Sequence, residues 1–420
     1  MVWNPPISTN EFYFPIMIEP DQFTDNLPPP LMTSDPGSFA RSTITERKPQ
    51  IIQQVIVDND FPVTILQAIE KFSDEIAHRP IQPLHEQAED TAFWNTELSA
   101  YQGHTWLEVP WYFAETYFYR RLLEAIGYYQ PGPWHKHDPF LKQKQGSIQA
   151  GIRWFESEWD NFIDIDPGIV FEALLHSCLW GNRADLSNYT VKEQVYGGSA
   201  ATDERHLILI DHTEQVRAFL SMGVRRVDFI NDNTGKELLF DLALVDYMID
   251  QGWVEQVVFR LKDRPFFVSD GMPADIKSTI SQLCNSQSKA THQLGERLDR
   301  YLADRRFLLT DDPFWTSCLM FRRMPQSLQE QLSGADIAIL KGDVNYRRIL
   351  DDRHWLFTTP IESVTGYFPT SFIALRTLKG EIMVGLGPMQ AETLSREDPT
   401  WLINGKRGII QMVKKGPCTG

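Results

Sequence analysis

From about residue 189 onward the chain repeats one pattern, a short β-branched apolar run followed by an amphipathic stretch of helical period, and this alternation constrains the fold most. Residues 206–210 read as a strand and 213–222 as a helix. Residues 224–230 read as the next strand, and 235–250 as a helix with Leu238, Leu242, Val245 and Ile249 on one face. Further strands are expected at 254–259, 266–268, 306–309, 335–340 and 381–386, with a helix opening at Pro273. Strands separated by helices do not close into hairpins, so they are expected to pair in parallel with helices over both faces. The fold class expected is therefore α/β, built on a mostly parallel sheet.

Residues 51–188 carry a different pattern. Ile65, Ile69 and Phe72 recur at helical spacing, 111–128 form an aromatic-rich helical stretch, and 169–180 form another. An N-terminal α-helical domain is expected there, beside an α/β domain over 189–395. Two units suit the length, because a single core stops growing at roughly 250–300 residues and the chain has 420. Residues 1–50 hold Pro5, Pro6, Pro15, Pro20, Pro28, Pro29, Pro30 and Pro36. Proline lacks the donor that helices and ladders need, so this extension is expected to wrap the surface without either. Residues 396–420 read as a C-terminal tail.

Charge narrows the partners. Forty basic residues against fifty-six acidic ones give a formal charge of −16 with no basic stripe, which argues against nucleic acid. No window reaches the ~20 apolar residues of a membrane span. The start, with Asn4, Pro5, Pro6 and Glu11, does not read as a secretory signal, so a cytoplasmic protein is expected. Cys178, Cys284, Cys318 and Cys418 lie far apart and suggest reduced, mostly buried thiols rather than a zinc or redox pair.

In open parallel sheets ligands bind beyond the carboxyl ends of the strands, so the polar residues after each apolar run carry the chemistry. Asn231, Asp232, Asn233, Thr234 and Gly235 follow one run and open a helix through Lys236 and Glu237. Asp232 and Asn233 offer the hard oxygens that magnesium and manganese take, and the helix start offers N–H groups to a phosphate. The same residues also make an ordinary N-cap. Ser269, Asp270 and Gly271 follow another run; Asp270 is alone a cap, but two carboxylates on neighbouring strand ends share a divalent cation or repel each other. A third run delivers Gly342, Asp343, Val344, Asn345, Tyr346 and Arg347, where Arg347 suits a phosphate and Asp343 and Asn345 suit sugar hydroxyls. Arg376, Thr377, Leu378 and Lys379 precede the strand expected at 381–386, with Lys379 a point charge for a phosphoryl oxygen. A solvated basic surface is the plainer alternative for the last two clusters. Glu115 shares a helical face with Tyr112 and Tyr119; it either reaches over the mouth of the site or is satisfied by Arg120 or Arg121. Together these clusters supply metal ligands and phosphate donors, the requirements of phosphoryl transfer. The Walker loop, GxGxxG, GxSxG and HExxH are absent.

Four of these motifs, in order, resemble the metal-dependent damage-control phosphatases, in the subfamily once described as protein-glutamate carboxyl methyltransferases. They are 232–238, 267–270, 341–347 and 376–379, the last similar to that subfamily's RTxK signature, and the aromatic segment 110–121 agrees as well. The resemblance runs from the helical domain to about Leu386. It implies a three-layer α/β/α sandwich beside the helical domain, with a divalent metal (manganese, nickel, cobalt or magnesium) held by Asp232, Asn233 and Asp270. Asp232 and Asp270 would be the catalytic residues, and substrate contacts would come from Asp232, Asn233, Glu237, Asp343, Asn345, Tyr346, Arg347, Arg376 and Lys379, with Glu115 over the mouth. The substrate implied is a small phosphorylated metabolite such as fructose 1-phosphate or fructose 6-phosphate. Two departures, Lys236 and Asn231, bear on substrate preference. The methyltransferase description assigns S-adenosylmethionine contacts that include Glu237, against which stands the absence of a glycine-rich strand-to-helix turn. A non-catalytic metabolite- or metal-binding protein is the remaining alternative. Attack on phosphorus by a carboxylate or by water is left open.

Overall fold

The computed structural model describes residues 27–163, 167–181 and 205–416. Seven strands form one sheet: β1 Ile208–Asp211, β2 Val224–Ile230, β3 Val254–Leu261, β4 Phe307–Asp311, β5 Ile337–Lys341, β6 Ser371–Thr377 and β7 Gly408–Val413. Their order is β1-β7-β6-β5-β2-β3-β4. All neighbours pair in parallel except β6 with β7. From β2 the chain adds β3 and β4 on one side, then crosses back to place β5 and β6 on the other. Connections therefore diverge between β2 and β5, the point in such sheets where a crevice opens at the carboxyl ends.

The α/β expectation holds, and its cause is visible in the burial. Every residue of β5 and of β7 is buried, because helices cover both faces. The pleat of β6 sends Phe372 and Ala374 into one apolar cluster, and Ile373 and Leu375 into another. The first cluster joins that face to the helices Lys48–Asp58, Val63–His78, Thr91–Ser99 and Trp111–Ala125. The second joins the opposite face to Leu141–Ile163, Pro167–Trp180, Lys236–Asp250, Pro273–Cys284 and Lys289–Ala303.

Several boundaries differ from the sequence reading. Leu141–Ile163 and Pro167–Trp180, assigned to a helical companion, are an outer layer of the sandwich, with Phe155, Leu174 and Leu179 in the second cluster. The supposed tail from 396 supplies β7, between β1 and β6. Residues 39–58, across the end of the proline-rich extension, are helical without a break, with Pro49 entering directly after a π-helical turn at Thr43–Arg47. Residues 1–26 and Cys418 lie outside those described; Cys178, Cys284 and Cys318 are free thiols. Residues 381–386 are not a strand, and β6 ends in Arg376 and Thr377 instead. Residues 266–268 are not a strand either. Phe267 and Val268 have φ of 44° and 66°, a left-handed turn that breaks any ladder and is strained for a β-branched residue. Among the described residues no helix is long and apolar enough to cross a membrane.

Candidate active site

β6, β5, β2 and β3 are adjacent and mutually parallel, so their carboxyl ends line one edge of the sheet. All four polar clusters read from the sequence lie on it. Asp232 follows β2, and Asp270 is delivered by the loop after β3. The two loops are joined by Thr234 N donating to Ser269 O at 2.8 Å and by Gly271 N donating to Asp232 O at 2.9 Å. Gly342, directly after β5, has φ +83°, and a Cβ there would lie 1.9 Å from Asp232 Oδ2, so this backbone passes against the carboxylate only because the residue is glycine.

Asp270 is buried, and its carboxylate meets Lys262, whose Nζ lies 3.1 Å from Oδ2 and donates to Asn231 O at 3.2 Å. Burial raises the Asp270 pKa, and Lys262 opposes the rise. Desolvation pushes Asp232 well above the usual carboxylate range, the charges of Glu237 and Asp270 add to this, and Lys262 and Lys379 counter it. Lys262 was not singled out from the sequence. Its signal was position, one residue beyond the true end of β3 at Leu261, a strand expected to stop at 259.

Asn233 Nδ2 donates to Asp232 Oδ2 at 2.9 Å and to Glu237 Oε2 at 3.2 Å, while its Oδ1 accepts from Ser269 Oγ at 2.5 Å. A metal-ligand role needs the amide turned over, which the Ser269 hydroxyl permits because it accepts as readily as it donates. The donor set is then two carboxylates and one amide oxygen, and among the described residues no group of three or more His, Cys, Asp or Glu is gathered for a metal. Such a lean oxygen set fits a magnesium-like ion that keeps water and substrate as its other ligands. Behind it, Lys341 Nζ lies 2.8 Å from Asp241 Oδ1 and 3.6 Å from Glu237 Oε1, and also donates to Cys178 O. Burial pushes the Asp241 carboxyl up to about 6 against the pull of Lys341.

The residues expected to meet a phosphate divide sharply. Arg347 is fully buried, with Nε donating to Asp352 Oδ1 at 2.6 Å and its guanidinium 3.5 Å over the Trp111 ring. Its two terminal nitrogens have no hydrogen-bond partner among the described residues, and Nη1 lies 3.9 Å from Asp343 Oδ2. Asp343 Oδ1 accepts from Arg376 Nε at 2.7 Å and from Lys379 N at 3.2 Å. Burial would raise the Asp343 pKa, but the Arg376 and Arg347 guanidinium groups outweigh it and hold the carboxyl below the usual range. Arg376 gives its remaining nitrogens to Ile382 O and Gly380 O, so its donors are occupied within the fold. Lys379 is exposed on the same loop.

Three expected substrate contacts are instead internal. Asn345 Nδ2 donates to Lys341 O at 2.8 Å and Ile230 O at 3.2 Å, tying the end of β5 to that of β2. Tyr346 is buried, with its hydroxyl 3.2 Å from Gln411 Oε1. Glu115 pairs with buried Lys48, not with Arg120, which holds Asp90 and Glu86, nor with Arg121, which holds Glu75 and Glu124. Its helix still builds a wall of the site, because Trp111 lies under Arg347 and Tyr119 packs 5.1 Å from Phe267. Lys236, the departure noted above, places its ammonium 3.3 Å over the Trp154 ring.

Two carboxylates on facing loops and a buried guanidinium whose terminal nitrogens lack partners among the described residues thus meet at the switch point of a parallel sheet, and the class of this α/β protein comes from its relatives, which are phosphatases. The family model described as the damage-control phosphatase ARMT1-like domain matches residues 43–394. The damage-control phosphatase ARMT1 of Mus musculus is 32% identical, with 91% of this chain and 97% of the relative covered. Its namesake in Danio rerio is 31% identical over 92% and 97%. A DUF89-family crystal structure from Pyrococcus horikoshii aligns with TM-score 0.47 and 13% identity, covering 88% of this chain and 97% of that one. The chain belongs to the ARMT1-like damage-control phosphatase family.

Proposed function

We propose that this phosphatase is a cytoplasmic, metal-dependent enzyme for small sugar phosphates, fructose 1-phosphate and fructose 6-phosphate foremost. The observation that carries the reading is Arg347. Burying guanidinium donors without partners is costly, and a phosphate oxyanion is the ligand whose geometry matches their fork. Asp343 Oδ2, 3.9 Å from Arg347 Nη1, suits a sugar hydroxyl beside that phosphate. Lys379 adds a compact charge on the open side. Asp232 and Asp270, with Asn233 turned over, would hold the divalent cation, which when bound supplies positive charge to the phosphoryl oxygens.

The test is phosphate release from a panel of sugar phosphates with manganese, cobalt, nickel or magnesium. Asp232→Ala and Asp270→Ala are each expected to abolish release while keeping a native circular-dichroism spectrum. Full activity in either variant at controlled metal would sink the proposal. Methyl transfer from labelled S-adenosylmethionine to a carboxylate, without phosphate release, would establish the methyltransferase alternative.

A further inference from the structure

We propose that Lys262 is a positioning residue that sets the charge of the metal centre, lowering its affinity for the divalent cation and raising its affinity for phosphate. The inference rests on the metal reading of Asp232 and Asp270. Lys262 is buried on the loop that leaves β3, and its ammonium is held from two directions, by Asp270 Oδ2 at 3.1 Å and by Asn231 O at 3.2 Å. Asn231 directly precedes Asp232, so the ammonium spans both metal-binding loops. It therefore sits permanently beside the carboxylate that the cation would share.

Two consequences follow from Coulomb's law in a poorly solvated site. A fixed positive charge a few ångströms from the cation weakens metal binding. Glu237 adds a third carboxylate beside Asn233, at 3.2 Å from its Nδ2, so the centre is rich in negative charge. The Lys262 ammonium makes the loaded centre one unit of charge more favourable to a phosphate dianion than it would be without it. The same side chain thus acts with opposite sign on the two ligands, which a residue needed only for folding does not do.

The experiment titrates Mn²⁺ alone, and then inorganic phosphate at saturating Mn²⁺, by calorimetry into the full chain. Lys262→Met keeps the length of the stem and removes the charge. It is expected to bind Mn²⁺ about tenfold more tightly and phosphate about tenfold more weakly than the unmodified protein. Lys262→Arg, which keeps the charge, is expected to stay close to the original on both. Should Lys262→Met fail to fold, Lys262→Gln carries the same expectation. Mn²⁺ binding that is unchanged or weaker in a folded, uncharged variant overturns the inference and leaves the metal reading standing. Failure of the unmodified protein to bind Mn²⁺ overturns both.

Discussion

The cations around the site differ in how their donors are used, and that difference decides what each substitution does. Arg376 gives every nitrogen to Asp343, Ile382 and Gly380, so it shapes the loop, whereas Lys379 on the same loop is exposed and its charge reaches Asp232. An ammonium neutralises a phosphoryl oxygen but does not ligate a metal. Because solvent screens its exposed ammonium where Lys262 is buried, Lys379→Ala is expected to change metal affinity far less than Lys262→Met, and to lower kcat/KM for sugar phosphates by about 10²–10³-fold, the scale of one lost electrostatic donor. Lys379→Arg should restore only part, because the planar fork is wider. Calorimetry showing metal binding lost in Lys379→Ala, with normal turnover at saturating metal, would assign the lysine to loop support instead.

At the scale of elements, two segments carry more of the fold than their sequences advertise. β7 lies between β1 and β6 with all six residues buried, and Trp401 just before it is buried too. Truncation after Asp398 leaves both neighbours with open ladders, and the product is expected to be insoluble or unfolded. A soluble, active truncated chain would contradict this. The helix Pro167–Trp180 carries His176, buried, with Nε2 3.1 Å from Thr213 Oγ1. Burial lowers its pKa from 6.5 to about 4, with the Asp211 charge opposing. Because the folded value lies below the unfolded one, its contribution is complete above pH 6.5 and is lost as pH falls through about 4. The loss amounts to about 3 kcal/mol at most. Urea titrations from pH 7 to 4 should show a shallower decline in stability for His176→Gln than for the parent; equal slopes would mean that His176 does not govern this limb.

Across the whole molecule the sheet is a wall between two cores, and the helices before residue 140 supply one of them. They are also tied by polar groups to the edge that carries the candidate site. Arg264, two residues after Lys262, donates to Asp90 Oδ2 at 2.6 Å and to Tyr129 OH, while Arg120 holds the same Asp90. Such shared burial predicts one cooperative unfolding transition, with calorimetric and van't Hoff enthalpies in agreement. It also predicts that residues 189–420 expressed alone do not fold, because one face of the sheet would lie bare. Two separated calorimetric transitions, or a folded fragment, would show the helices to be an independent domain.

The sequence by itself determined what is local. Hydrophobic periodicity placed β2 and the helix Lys236–Asp250 almost to the residue, and hard-oxygen side chains after apolar runs made Asp232, Asp270 and Asp343 candidates, while Lys379 was noted for its charge but set before a strand at 381–386 that does not form. Tertiary structure alone decided which ends are neighbours, because strand order follows from long-range pairing that no local period encodes. It decided that Phe267 and Val268 turn left-handed, with Phe267 against Tyr119, that β7 enters from a supposed tail, and that Lys262 faces Asp270. It also decided which polar atoms the fold consumes, those of Arg376, Asn345 and Tyr346, and which it leaves without a hydrogen-bond partner among the described residues, the terminal nitrogens of Arg347. A side chain's chemistry is written in its residue type, but its availability depends on partners more than a hundred residues away, such as the Ile230 carbonyl that accepts from Asn345.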